Sequence, residues 1–122
     1  NTVRAFAYDE AARAISKIMI DKALFQALHP VEQAFVFLPL EHSETLSDQS
    51  LSLQLYENLA AQCAAPYRLF IENALDYARR HYAIIERFGR FPHRNSILNR
   101  VPTEDEKQFL AKGGDTFGVA QV

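Results

Sequence analysis

The chain has one cysteine, no tryptophan, four glycines and five prolines. A lone Cys63 excludes an internal disulfide, a zinc ribbon and a Cys-x-x-Cys redox pair. So few glycines exclude a Gly-rich phosphate cradle, which needs a run of backbone donors. No apolar run nears the ~18 residues of a membrane span, and no charged-then-apolar leader opens the sequence. Basic charge is short too. Thirteen Lys and Arg stand against 15 Asp and Glu, and a pI near 6.1 argues against a generic nucleic-acid binder. These absences point to a soluble, cytoplasmic globular domain with neither a nucleic-acid nor a membrane partner. Its 122 residues suit a single domain.

What is present favours helix. Alanine and leucine total 30, with few β-branched residues and few breakers, so the composition predicts an all-α chain. A first helix is expected from about Tyr8 to Leu28, with Ala12, Ile15, Ile18, Met19 and Ala23 facing a core. Arg13, Lys17 and Asp21 would then face solvent. Pro30 suits the first position of a second, buried helix that meets Pro39, with His29 a turn residue. Thr45 or Ser47 would cap a third helix running through Leu51, Leu55, Leu59 and Cys63. The fourth and clearest helix starts near Pro66 and ends at Gly89, a left-handed stop, with Phe91 folding back on Ile85. Thr103 and Glu106 form a capping box for a last short helix. Short loops predict antiparallel helical hairpins, five to six helices in one stack.

Charge is divided along the chain. From Ala23 to Tyr67 there are five acids and no Lys or Arg, whereas Arg68 to Arg100 holds seven Arg against three acids. Either the two segments pair as a structural ion network, or the basic one holds an anion. Arginine forks match the paired oxygens of phosphate or carboxylate. On the second reading Arg87, Arg90, His93, Arg94 and Asn95, with Asp48, would bind the ligand. His42 and Glu44 would then be the acid–base pair. His81 lies on the apolar stripe of the fourth helix and reads as a hydrogen-bonded core residue, or as a support beneath that cluster. No His-Glu-x-x-His or Glu-x-x-His motif is present, so no metal or other cofactor is expected. Cys63 reads as core, and Ser43 lacks the glycines of a nucleophile elbow.

Two stretches carry a resemblance. Phe37-Leu38-Pro39-Leu40-Glu41-His42-Ser43-Glu44, followed by Asp48-Gln49, is similar to one signature of the bacterial "domain of unknown function 924" family. Arg87-Phe88-Gly89-Arg90-Phe91-Pro92-His93-Arg94-Asn95, then Leu98 and Thr103 to Leu110, resembles the other. Leu40 departs from the aromatic or methionine often found there. The resemblance covers essentially the whole chain and implies a tetratricopeptide-like helical superhelix, but no activity. Family members carry some tens of residues before the point matching Asn1, so the chain is expected to be a fragment lacking N-terminal helices.

Two functions follow as expectations. The first is a binding domain for a protein or peptide partner, or for a second copy of the chain. The alternative is a small-anion binder or enzyme built on the Arg87–Asn95 cluster.

Overall fold

The computed structural model describes residues 6–119 and 121. Five α-helices follow one another: α1 (Asp9–Asp21), α2 (Pro30–Glu41), α3 (Leu46–Gln62), α4 (Ala65–Phe88) and α5 (Glu104–Ala111). Single 3-10 turns at Leu24–Ala27 and Pro92–Arg94 complete the order, and no strand occurs among the described residues. None of these helices is long and apolar enough to cross a membrane.

The core lies where α2, α3 and α4 converge. Ala34 and Phe37 meet Tyr56 and Leu59 of α3, Cys63 just after it, and Ile71, Leu75 and Ala78 of α4. Tyr56 is placed by both of its ends. Its ring packs edge-on against Phe37, and its hydroxyl donates to the Ala34 carbonyl at 2.8 Å. A second cluster, Ile84, Ile85 and Phe91, lies beyond it, with Phe88, Phe109 and Phe117 packed around it. Gly89 ends α4 at φ +74°, a conformation that L side chains disfavour, and its N–H closes on Ile85. The Thr103–Glu106 capping box opens α5 as expected.

Three expectations are corrected. The first helix stops at Asp21, not Leu28: Ala23 turns left-handed, and the Leu24–Ala27 turn carries Phe25 onto the edge of Phe37. The face of α1 also differs in part: Ala12 and Met19 are half-buried and Asp21 is exposed, as expected, but the positions between them trade places. Ile15 and Ile18 are exposed, whereas Arg13 and Lys17 reach the buried Asp48, because a carboxylate that deep needs counter-charge more than two isoleucines need cover. Lastly, α2 runs through Pro39 to Glu41. The fully buried Leu40 and nearly buried Glu41 anchor that last turn and offset the donor that proline lacks.

Two caps also differ from expectation in detail. His29 is a true cap: its Nδ1 accepts the Val31 N–H while Glu32 accepts the His29 N–H. Thr45 occupies the cap position of α3 without a side-chain bond, and Ser43 Oγ instead accepts the Thr45 N–H.

Candidate functional site

The acidic and basic segments meet in space. Glu44, in the α2–α3 connection, accepts two hydrogen bonds from Arg100 at 2.8 and 3.1 Å and the Phe91 N–H at 2.6 Å. Burial alone would raise the Glu44 carboxyl, but Arg100 and the Phe91 amide outweigh it and hold the group below its ordinary value. Arg100 also donates to Asn95 Oδ1 and to the Phe91 carbonyl. Arg90 makes a forked pair with the buried Glu106 at 2.8 and 2.6 Å, which brings that carboxyl down to about 2.

The other expected site residues are dispersed. Asp48 lies apart, held by Arg13, Lys17 and Ser43 Oγ. Arg87 is exposed and stacks over the rings of Phe88 and Phe109. Arg94 is 8% exposed and sandwiched between Phe6 and Phe91. It donates to the His42 carbonyl at 3.0 Å, and its Nε has no partner. Among the described residues its nearest carboxylate, Asp9, stands 4.0 Å away. His93 is buried with Nδ1 unpartnered; burial and then Arg94 push its imidazole down to about 4.

A different set of polar groups converges on the other side of His42. A cleft of about 470 Å³ opens between α2 and α4, with Phe35 and Leu38 on one wall and Phe70 and Tyr77 on the other. Phe117 closes one end, its ring stacked on His81 with centroids 3.7 Å apart. Glu41, His42 and His81 form the polar floor. Glu41 is 3% exposed, its Oε1 has no partner, and burial pushes its carboxyl up to about 7. Its Oε2 lies 3.8 Å from His42 Nε2 and 3.9 Å from His81 Nδ1, beyond hydrogen-bond reach of either. His81 Nδ1 sits 2.7 Å from the Tyr77 carbonyl, and burial holds its imidazole down near 4. His42 is also lowered, by burial and then by Arg94. A carboxyl beside two neutral imidazoles can exchange protons with a ligand or share a cation with it.

Sequence reasoning placed His42 in the site but overlooked Glu41, and it set His81 in the core or as a support. The signal was available for Glu41. It continues the Ala34–Phe37 stripe at helical spacing, and a carboxylate on an apolar stripe is the exception to explain. The expected stop at Pro39 concealed it. Phe117 had no signal, since it lies in a patternless tail.

The chain is similar in structure to a protein of unknown function, ATU0120, from Agrobacterium tumefaciens, with a TM-score of 0.78 and 34% sequence identity. The match covers 93% of this chain and 58% of that one, so the chain spans little more than half the length of its structural relative. Among curated proteins, none is significantly similar. Residues 1–114 match a family described as "Bacterial protein of unknown function (DUF924)". On that match, which runs through both signature stretches and nearly the full length, the chain belongs to the DUF924 family.

Proposed function

We propose that the chain binds a small organic molecule in the cleft between α2 and α4. The ligand's apolar body would lie against Phe35, Phe70 and Tyr77, and its polar head would meet Glu41, His42 and His81. One observation carries the reading: a carboxyl only 3% exposed, with one oxygen unpartnered, at the floor of an aromatic-walled cleft. Natural folds avoid such a group unless something binds it, because an unsatisfied buried acceptor costs roughly 1–3 kcal/mol. A volume near 470 Å³ falls in the range of small-molecule sites.

A screen of small amphiphilic fragments, scored by the thermal midpoint, tests this against two variants. Ala74→Phe fills the cleft and abolishes the shift, and Glu41→Gln changes which head groups bind. Fragments that shift the parent and Ala74→Phe equally would sink the idea.

A second reading keeps the basic cluster as an anion site, with Arg94 as its centre. The unpartnered, buried Arg94 Nε favours it. Against it, Arg90 and Arg100 direct their forks at Glu106 and Glu44, and Asp9 and Glu10 line the same recess. We propose further that the helical hairpins build a tetratricopeptide-like superhelix and that the protein works in the cytoplasm. The unpaired, buried Cys63 suits a reducing compartment. The exposed Phe35, Leu69, Phe70 and Tyr77 also support docking of a peptide or of a second copy around the mouth of the cleft.

A further inference from the structure

We propose that Glu41, His42 and His81 together bind one divalent transition-metal ion, zinc being the best match, with an open coordination position facing the cleft. The inference rests on the cleft being a ligand site and names the chemistry of its floor.

Geometry comes first. One ligand atom from each of the three residues lies within 4.8 Å of the others. The separations of 3.8 and 3.9 Å from Glu41 Oε2 are too long for hydrogen bonds. The first of these, from Glu41 Oε2 to His42 Nε2, approaches the spacing of atoms that share an ion, since ligands at about 2.0–2.2 Å from zinc and tetrahedral angles stand roughly 3.3–3.6 Å apart. A contraction of a few tenths of an ångström would bring that pair to ligand spacing, and His81 would join through Nε2, the nitrogen that the Tyr77 carbonyl does not hold.

Charge comes second. Among the described residues, Glu41 is buried without a cationic partner and no Lys or Arg lines the cleft. A dication supplies the missing counter-charge. The donor set is the third argument. Two imidazoles are borderline ligands, and with one carboxylate they make a set that suits zinc, cobalt or nickel better than magnesium or calcium. Three protein ligands leave a fourth position for a ligand atom, as catalytic rather than structural zinc sites do. The ion would then act as a Lewis acid on the ligand's head group. His81 has the outer contact common to metal-bound histidines: one ring nitrogen is tied to the Tyr77 carbonyl, which leaves the other its lone pair. No linear motif announces the site, because Glu41 and His42 are neighbours at the end of α2 while His81 comes from α4.

The test is a titration of chelator-treated chain with Zn²⁺ by calorimetry and with Co²⁺ by visible absorption. Glu41→Gln and His42→Ala run beside the parent, and His29→Asn serves as a control outside the cluster. One ion per chain is expected, with a raised thermal midpoint and at least tenfold weaker binding in each cluster variant; His29→Asn should match the parent. Glu41→Gln keeps the side-chain volume and the His42 side chain is 43% exposed, so both variants should stay folded, which circular dichroism checks. Absent binding, or binding unchanged in both cluster variants, overturns the proposal. The fragment screen repeated on chelated protein separates the two claims. Fragments that bind without metal uphold the cleft when the ion fails, and an ion that binds without any fragment upholds the metal site when the cleft fails.

Discussion

Glu44 and Arg100, 56 positions apart, face each other across two hydrogen bonds, and the same carboxylate also holds the Phe91 N–H. The pair joins the α2–α3 connection to the segment that follows α4. Side chains suited to anion recognition here recognise an anion within the chain itself.

Glu44→Ala should therefore destabilise the fold. It strands the Phe91 N–H and leaves a largely buried Arg100 uncompensated, a cost of about 2 kcal/mol. At this chain length the thermal midpoint should fall by roughly 10 °C. A double-mutant cycle with Arg100→Gln should show a coupling of about 1–2 kcal/mol. Additive losses would mean that the two residues act separately.

Arg94 should behave differently. Its nearest carboxylate stands 4.0 Å away and its Nε is unpartnered, while its flat face is packed between two rings. Arg94→Met keeps the packing and removes a poorly paired buried charge, so the midpoint should hold or rise. A fall like that of Glu44→Ala would place Arg94 in the structural network and remove the case for an anion there.

Acid should unfold the protein through Glu106. Arg90 lowers its carboxyl to about 2 in the fold, against about 4.3 in an unfolded chain. A depressed carboxylate stabilises fully above the unfolded value and loses that stabilisation as pH falls toward 2. The contribution is on the order of 3 kcal/mol. Urea midpoints of the parent should drop between pH 5 and 2, and the gap between parent and Arg90→Met should shrink over the same window. A gap constant with pH would contradict the assignment.

Tyr56→Phe should cost about 1–2 kcal/mol, since it leaves the Ala34 carbonyl without the hydroxyl that meets it in the core. Equilibrium unfolding should show a lower midpoint at unchanged slope. An unaltered midpoint would mean that another donor replaces the hydroxyl.

Much of the fold was legible because its signals are local. Pro66 and Gly89 mark the two ends of α4, and Thr103 with Glu106 opens α5, each through bonds within one helical turn. The face of α1 was misread in part because hydrophobicity alone places Ile15 and Ile18 inward, and nothing nearby in sequence reveals Asp48 waiting on α3. The candidate site was legible only in part. His42 stood out as a titratable group, but Glu41 and His81 matter through their proximity across two helices, which no spacing along one chain encodes. The basic cluster was visible in the sequence, while its partners Glu44 and Glu106 could be assigned only in three dimensions.

Pro39 has no N–H to give to the turn before it, so the last turn of α2 is held by one backbone bond fewer than a regular helix end. Glu41 and His42 both ride on that turn. The Arg94 contact to the His42 carbonyl grips it from one side, and the buried Leu40 side chain grips it from the other. The turn is thus a small lever on a softened joint. The floor of the cleft is thereby built on the one interior joint of α2 that lacks a backbone donor.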